Sequence, residues 1–390
     1  MRIFSRAVSL AVALLVSFSP GVAGDKKDKK PAPAKKDFFA FAGTYTTKTQ
    51  SKGIYAFRYD ASSGKLTALG VAAETPDPSF VAIHPGGKFL YAVNEGGKAS
   101  FVTSFALDAK TGQLTQLNQV PALGEDPCYI AFDQSGKYIL VANYTSGTLA
   151  VFPILPDGKI GEKTAMNRDS GPLGPRKDRQ EGPHAHWIET SPDNRFALAA
   201  DLGLDQVLIF QFDAAKGTLG PHIPSGASLK AGSGPRHAIF SPNGKFLFVV
   251  SELNSTAASF SYDPKKGELK QVSSVSTVPS DFSGRNDVAE VAIHPSGRFL
   301  YVSNRGNDSI AIFAVDVKKG TLTPMGGLPT GGKEPRHFTL DPTGNFLFVE
   351  NQFSDTIVTF HVDANTGQLT PTGENVNVPS PVCLKFIAAE

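Results

Sequence analysis

The chain has 390 residues, of which 41% are hydrophobic and 19% charged, and its formal net charge is +2. Beyond residue 37 the net charge falls to −3, because the first 37 residues hold a surplus of lysine and arginine. A nucleic-acid-binding surface needs a stripe of basic residues, so we expect no nucleic-acid partner. The 28 Phe residues provide enough apolar volume to pack several β-sheets face to face.

The amino terminus has the pattern of an export signal. Arg2 and Arg6 precede an apolar run, Ala7–Phe18, which is too short to span a bilayer, and Val22–Gly24 provides the small residues that a signal peptidase needs. An uncleaved membrane anchor is the alternative. We predict a signal peptide over residues 1–24 and an exported protein, periplasmic or secreted, with no membrane span after cleavage.

Residues 25–37, DKKDKKPAPAKKD, form a lysine-rich segment that contains proline. It has nothing apolar to bury and is expected to be a disordered tether. Residues 38–390 then form a single folded domain, which we expect to be a monomer.

The folded domain is built from repeats. Each repeat carries an Asp or Pro followed by a Gly and then a Leu or Ile, as in DAKTGQL from Asp108 and DPKKGEL from Asp263. The glycines of this signature lie 46 to 59 residues apart and are Gly64, Gly112, Gly158, Gly217, Gly267, Gly320 and Gly367. Between them lie short apolar runs broken by turns such as HPGGKFLY and DPTGNFLF. Four strands in a period of roughly 40–50 residues indicate a β-propeller, and the repeats number seven.

The two ends of the domain are predicted to share one blade. The first repeat has strands between Phe38 and Val71 but lacks the segment that precedes the internal turn in the other repeats. Pro379–Phe386, PSPVCLKF, matches that missing segment and is expected to become the innermost strand of the first blade. Closure of this kind hides the edges that an open solenoid, the competing architecture, would expose. The predicted fold class is therefore all-β, a seven-bladed propeller closed by its carboxyl-terminal strand.

The sequence contains two cysteines, Cys128 and Cys383. An exported chain could join them in a disulfide. They fall two blades apart, each near an inner strand, so we predict two free, buried thiols that form neither a zinc site nor a redox motif.

Charged and polar residues recur at two positions of the aligned repeats. The first position lies eight residues before the turn glycine and holds Ser79, Cys128, His186, Arg236, Ala289 and Arg336. The second lies eight residues after it and holds Glu95, Tyr144, Leu202, Glu252, Arg305 and Gln352, with Tyr45 as the match in the first blade. Residues equidistant from a hairpin turn lie side by side, so both sets are expected on one rim of the axial channel. The predicted cross-strand pairs are Arg236 with Glu252, Ala289 with Arg305, and Arg336 with Gln352.

Charged residues in packed strands usually have a partner or a ligand. An ion pair between Arg236 and Glu252 that only joins two strands is one interpretation. A binding pocket is the other, and it explains better why His, Arg and Glu converge from at least four blades.

Two long loops are expected to lie over the same rim. The longest gap between repeats, 59 residues, contains an insert with Arg176, Arg179 and Glu181 that leads into GPHAH, and Val278–Glu290 enters at the same side. In extended chain His184 and His186 share a face, and with Glu252 they raise the possibility of zinc or calcium. No Asp-rich or Cys-rich motif accompanies them, so we predict neither a metal nor a cofactor. The candidate substrate-binding residues are His184, Arg179, Glu181, His237, Glu290, Arg336, Glu95, Gln352 and Tyr144.

Several motifs in these regions point to a known family. They are RQEGPHAH from Arg179, ADLGLDQVLIF from Ala200, GPRH from Gly234, VSELNST from Val250, SNRGNDSIAIF from Ser303 and EPRHF from Glu334. Together they resemble the seven-bladed propeller lactonases, a family that includes the propeller-type 6-phosphogluconolactonase and carboxymuconate cyclase. The likeness runs from about Phe39 to Phe386. It implies catalysis by a His, Arg, Glu and Arg on the rim, which by motif are His186, Arg236, Glu252 and Arg305, with His184 as the substitute for His186.

The chemistry that the resemblance implies is the opening of a cyclic ester. A lactone needs a water aimed at its carbonyl, a base to take the proton, and donors for the developing oxyanion. We expect His186 or Glu252 to be the base and Arg236 and Arg305 to hold the oxyanion or an acidic substituent. No GxSxG motif is present, so direct attack by water is preferred over an acyl-enzyme.

Three functions remain open at this stage. The first is hydrolysis of a sugar lactone, in which Arg336, Arg176 and Arg179 could grip a phosphate, although an export signal fits an unphosphorylated lactone better. The second is a cyclase or isomerase of muconate type. The third is a non-catalytic exported binding propeller, in which Arg236, Glu252 and Arg305 would pair with one another and leave no open cavity.

Overall fold

The computed structural model describes residues 37–389, so the predicted signal peptide and nearly all of the tether lie outside it. The described chain forms seven antiparallel sheets, one for each repeat, which confirms the propeller and its blade number. Within these residues there are two short 3₁₀ turns, Gly97–Ala99 and Gln352–Ser354, and no helix long and apolar enough to cross a membrane.

The first four blades follow one another along the chain. Blade 1 contains β1 (Asp37–Thr44), β2 (Gly53–Asp60), β3 (Lys65–Glu74) and β29 (Pro381–Ala388). Blade 2 contains β4 (Phe80–Ile83), β5 (Phe89–Asn94), β6 (Phe101–Leu107) and β7 (Leu114–Pro121). Blade 3 contains β8 (Pro127–Phe132), β9 (Tyr138–Asn143), β10 (Thr148–Pro153) and β11 (Ala165–Arg168). Blade 4 contains β12 (Ala185–Thr190), β13 (Phe196–Asp201), β14 (Gln206–Asp213), β15 (Thr218–Gly220) and β16 (Gly226–Ser228).

The last three blades have four strands each. Blade 5 contains β17 (Pro235–Phe240), β18 (Phe246–Ser251), β19 (Thr256–Asp263) and β20 (Glu268–Ser276). Blade 6 contains β21 (Asp287–Ile293), β22 (Phe299–Arg305), β23 (Ser309–Val315) and β24 (Leu322–Pro329). Blade 7 contains β25 (Pro335–Leu340), β26 (Phe346–Asn351), β27 (Thr356–Val362) and β28 (Leu369–Asn377).

Closure follows the prediction. Strand β29 pairs with β1, with Lys385 opposite Phe41, and is the innermost strand of blade 1. Blade 4 departs from the expected four strands, because its outer strand is split into β15 and β16, which both pair with β14. Pro221 and Pro224 lie between the two pieces, and proline has no N–H to give to the ladder.

The repeated glycines have a packing role between blades. All seven adopt a positive φ of 65° to 82°, and a Cβ at any of them would overlap an aromatic ring of the preceding blade. The pairs are Gly112 with Phe39, Gly158 with Phe89, Gly217 with Tyr138, Gly267 with Phe196, Gly320 with Phe246, Gly367 with Phe299, and Gly64 with Phe346. Because the last pair joins blade 1 to blade 7, the same contact runs around the whole ring.

The second strand of each repeat ends next to the predicted rim residues. Strands β9, β13, β18 and β26 are buried at every residue, because blades pack on both of their faces. Such strands are mainly apolar instead of alternating, and each of these four ends in a buried polar residue. The residues that directly follow these strands, Tyr144, Leu202, Glu252 and Gln352, therefore lie at the edge of the packed sheets.

Candidate active site

Glu252 is bound by three arginines. Its Oε2 lies 3.0 Å from Nε of Arg236 and 2.9 Å from Nη2 of Arg305. Its Oε1 accepts a hydrogen bond of 2.5 Å from Nη2 of Arg179, which comes from the insert. The side chains of Glu252, Arg236 and Arg305 are at most 8% exposed. This group of four, called the arginine cluster below, has more positive than negative charge.

The cluster shifts the pKa values of Glu252 and Arg236. Burial acts to raise the pKa of Glu252, but Arg305, Arg236 and Arg179 together lower it to about 2. Burial, followed by repulsion from Arg305, lowers the pKa of Arg236 to about 10, so it remains charged at neutral pH. A carboxylate this acidic is a poor proton acceptor. Glu252 is therefore better suited to holding the arginines than to the role of base.

The cross-strand pairing at the rim differs from the prediction. Arg236 is the extra residue of a β-bulge between Pro235 and His237. The backbone N–H of Glu252 consequently donates to the carbonyl of Gly234, at 2.7 Å, and Arg236 is not directly opposite Glu252. The bulge still brings the two side chains together, as bulges near functional sites do when they re-aim a residue.

Blades 6 and 7 contain the same irregularity. Arg305 pairs with Asp287 instead of Ala289, because β21 is irregular between Val288 and Val291. In blade 7 the N–H of Gln352 donates to the carbonyl of Glu334, at 3.0 Å, so the predicted pair of Arg336 with Gln352 is also wrong. Counting outward from a turn glycine cannot detect a bulge, since one extra residue on one strand shifts the partner.

His186 is buried beside the cluster. Its Nδ1 lies 3.5 Å from Sγ of Cys128, and its ring packs edge-on against those of Tyr144 and His237. Burial, and then the nearby Arg236, lowers the pKa of His186 well below its usual value. The imidazole is therefore neutral at pH 7, and its Nε2 has no hydrogen-bond partner within residues 37–389.

His184 is held at both ring nitrogens. It stacks on Tyr144, with the ring centroids 4.5 Å apart, and its Nδ1 donates to the Tyr144 carbonyl at 3.0 Å. Its Nε2 lies 3.2 Å from Oε1 of Glu181, whose side chain is 63% exposed. Of the two histidines, His186 thus has the free nitrogen and His184 fastens the end of the insert.

Arg336 lies on the same rim with a different set of contacts. Its Nη2 donates to the hydroxyl of Tyr45 at 2.8 Å, and that hydroxyl donates to Oε2 of Glu95 at 2.7 Å. The guanidinium also lies over the Tyr45 ring, 5.2 Å from its centroid. Arg336 forms no ion pair with any described residue. Its charge is therefore available to a ligand.

His237 and Glu290, predicted as substrate-binding residues, line the small cavity inside the channel together with Arg236 and Arg336. His237 donates from Nδ1 to Oε2 of Glu290 at 3.0 Å, and both residues are buried. His337 extends this network, with Nε2 3.5 Å from the same oxygen and Nδ1 2.6 Å from Oε2 of Glu350. The sequence analysis missed His337, although it occupies the place in EPRH that His237 occupies in GPRH.

The insert is fastened by its own side chains. Arg176 forms an exposed ion pair with Asp178 at 3.1 Å. Gln180 donates from Nε2 to the Leu202 carbonyl and to Asp205, at 2.8 and 2.9 Å. Arg176 therefore already has an anionic partner and is not an unpaired cation that could bind a phosphate.

Two clefts flank the arginine cluster. One, called the Tyr45 cleft below, has a volume of about 990 Å³ and is lined by Tyr45, Thr47, Lys48, Thr49, Gln50, Asp77, Glu95, Gly96, Gln352, Phe353, Asp355 and Ser380. The other, of about 670 Å³, lies between the two rim loops and includes Arg179, Phe282 and Asp287. A non-catalytic propeller predicts that Arg236, Glu252 and Arg305 pair with one another, and they do. It also predicts no open cavity, and the cavity that Arg236 and Arg336 line has a volume of only about 10 Å³. The two larger clefts lie beside these residues and are not lined by Arg236, Glu252 or Arg305.

The two thiols are buried, and the histidine pair does not belong to a metal-binding group of described residues. Cys128 and Cys383 are free and buried, and burial raises the pKa of Cys383 to about 12. Within the described residues, no group of three His, Cys, Asp or Glu side chains is placed to hold a metal ion. Glu252, considered as a third ligand, is instead held by its arginines.

Comparison with known proteins agrees with the seven-bladed architecture. The model of the family described as "Lactonase, 7-bladed beta-propeller" matches residues 39–386. The chain belongs to this family. The 6-phosphogluconolactonase of Bacillus subtilis is 35% identical to this lactonase-family chain, over 90% of the chain and 98% of the relative.

Two solved structures are similar to the lactonase-family chain along nearly its whole length. The periplasmic gluconolactonase of Pseudomonas aeruginosa has a TM-score of 0.86 and 33% identity, covering 91% of this chain and all of that one. A protein from Lactobacillus plantarum has a TM-score of 0.84 and 36% identity, covering 90% of this chain and 99% of that one.

Proposed function

We propose that this lactonase-family protein hydrolyses a sugar lactone to the open acid at the rim that carries the arginine cluster. The observation that supports this most directly is the excess of positive charge there. Arg179, Arg236 and Arg305 share the carboxylate of Glu252, although Arg179 also lies 4.0 Å from that of Asp287, and Arg336 has no carboxylate partner within residues 37–389. Preorganised cations in a water-poor site stabilise the oxyanion that forms when water attacks an ester carbonyl.

In this mechanism His186 takes the proton from the water as its oxygen bonds to the carbonyl carbon, and returns that proton to the ring oxygen when the ester C–O bond of the ring breaks. It is neutral and has a free Nε2 that can accept a proton. Burial and Arg236 lower its pKa, and the oxyanion that forms beside it in the transition state offsets this by stabilising the imidazolium. Glu252 is a positioning residue, because it holds Arg236 and Arg305 at fixed distances. Arg336 binds the carbonyl oxygen or a hydroxyl of the sugar.

We propose an exported enzyme that acts on an unphosphorylated lactone. Arg176 and Arg179, which were expected to grip a phosphate, already pair with Asp178 and Glu252. The Pseudomonas relative is a periplasmic gluconolactonase, which agrees with the export signal predicted over residues 1–24.

The test is acid release from glucono-δ-lactone and its 6-phosphate, corrected for spontaneous hydrolysis. We expect the unphosphorylated lactone to be the better substrate and His186→Ala to lower kcat by roughly 10²–10⁴-fold. Exposed His361 serves as the matched control, since His361→Ala should retain the wild-type rate. Arg336→Ala should raise KM or lower kcat, whereas Arg168→Ala, also exposed, should do neither. A wild-type rate in His186→Ala would exclude this histidine from catalysis.

A further inference from the structure

The Tyr45 cleft adjoins the candidate active site. Tyr45 and Glu95 line the cleft, and both also belong to the hydrogen-bonded chain that starts at Arg336. Glu95 in addition lines a small cavity inside the channel, together with Arg236 and Arg336. Tyr45 and Glu95 therefore connect Arg336 to the cleft through a continuous chain of hydrogen bonds.

One wall of the cleft presents an aromatic ring to solvent. Phe353 lies in the 3₁₀ turn Gln352–Ser354 and is 70% exposed. A single exposed apolar residue needs no explanation on a protein surface. Here, however, the ring lines the larger of the two clefts described above, next to the proposed reaction centre.

The other groups in the cleft are mostly neutral and polar. The side-chain amides of Gln50 and Gln352 have no hydrogen-bond partner within residues 37–389. The cleft contains one lysine, Lys48, against the carboxylates of Asp77, Glu95 and Asp355, so it has no cationic excess to attract a phosphate. Free amides beside an aromatic face match a sugar ring, whose C–H face is apolar and whose edge carries hydroxyls.

The floor of the cleft is held in place before any ligand binds. Asp77 accepts hydrogen bonds from the backbone N–H groups of Thr46 and Thr47, at 2.6 and 2.8 Å. It also accepts bonds from the hydroxyls of the same two threonines. These bonds fix the loop that carries Lys48 and Gln50, and a preformed site loses less entropy on binding.

We propose that the Tyr45 cleft binds a second sugar ring, so that the substrate is the lactone of a disaccharide or longer aldonic acid. The inference rests on the proposed lactonase function, and it places the lactone ring at the end of the cleft formed by Tyr45 and Glu95, next to Arg336, and the glycosidic substituent against Phe353. The cleft volume of about 990 Å³ is at the upper end of the usual range for ligand pockets, so it has room for a further ring.

The kinetic test compares two substrates on three proteins. The ratio of kcat/KM for cellobiono-δ-lactone to that for glucono-δ-lactone is measured for the wild type, Phe353→Ala and Phe282→Ala. Phe282 is the matched control, because it lines the other rim cleft. We expect a ratio well above one in the wild type and in Phe282→Ala, and a ratio lower by about fivefold or more in Phe353→Ala. A wild-type ratio of one or less, or the same ratio in all three proteins, would overturn the proposal.

A binding measurement separates this proposal from the proposed function. Cellobionate and gluconate, the open acids, are titrated calorimetrically into the wild type and Phe353→Ala. Tighter binding of cellobionate that depends on Phe353 supports the cleft as a sugar site even if neither lactone is hydrolysed, an outcome that would refute the lactonase function alone. Hydrolysis of glucono-δ-lactone with equal binding of the two acids would refute the cleft and leave the lactonase function standing.

Discussion

Replacing Glu252 by glutamine tests the electrostatics of the arginine cluster. The environment lowers the pKa of this carboxyl from 4.5 to about 2. At roughly 1.4 kcal/mol per pKa unit, the shift corresponds to about 3 kcal/mol of folding free energy at pH 7. Removal of one partner from a buried ion pair costs about 3–5 kcal/mol, because the remaining charge is left uncompensated. Both arguments predict that Glu252→Gln is less stable than the wild type by about 3 kcal/mol or slightly more at pH 7.

The sign of the pH dependence follows from the lowered pKa. A carboxyl whose pKa is depressed in the folded state stabilises the protein above its unfolded pKa, and this contribution is lost as the pH falls through the folded value. The stability difference between wild type and Glu252→Gln should therefore be complete above about pH 5 and fall to less than half by about pH 3.

The assay is urea denaturation of the two proteins at pH 7 and pH 3. Glu162→Gln is the control, since Glu162 is exposed and forms no ion pair with the described residues, and it should match the wild type at both values. A stability difference of the same size at pH 7 and pH 3, or none at pH 7, would refute the assignment of Glu252 as the anion that holds the cluster.

Three further predictions concern the insert that covers the rim. Arg179→Ala removes one of the charges that lower the pKa of Glu252, so the acid loss of stability should begin at a higher pH, as urea midpoints between pH 3 and 6 would show. Burial raises the pKa values of Asp169 and Asp201, and the charge of Asp201 raises that of Asp169 further. Stability from a raised carboxyl pKa is lost as the pH increases through it, so Asp169→Asn should melt at a higher temperature than the wild type at pH 8 but not at pH 4. A Cβ at Gly203 would overlap the Gly182 carbonyl oxygen of the insert, so Gly203→Ala should lower kcat/KM for glucono-δ-lactone, and an unchanged value would show that the insert is not needed there.

The architecture could be predicted because its signals are local and repeated. Each repeat needs a turn with positive φ, which glycine adopts readily, and the neighbouring blade needs that residue to lack a Cβ, as Gly320 shows beside Phe246. Because every blade needs such a glycine, the glycines recur at a regular spacing along the sequence. The closing strand, β29, was recognisable because one blade lacked its inner segment. The split of the outer strand in blade 4 left no comparable period and was missed.

The candidate site was only partly predictable. Hairpin symmetry brought Arg236, Glu252 and Arg305 to one rim, but the bulges that set their contacts depend on packing between blades. The link from Arg179 to Glu252 joins residues 73 positions apart in the chain, and no periodicity connects an irregular insert to a strand end.

Sequence alone therefore determined the number of blades, the strand that closes the ring and the rim at which charged residues gather, because these follow from short-range turn chemistry repeated along the chain. Tertiary structure decided that Glu252 is held by three arginines, that His186 keeps a free nitrogen while His184 does not, and that a cleft opens beside Arg336. These properties depend on distances and burial between side chains from different blades, where desolvation and neighbouring charge set each protonation state.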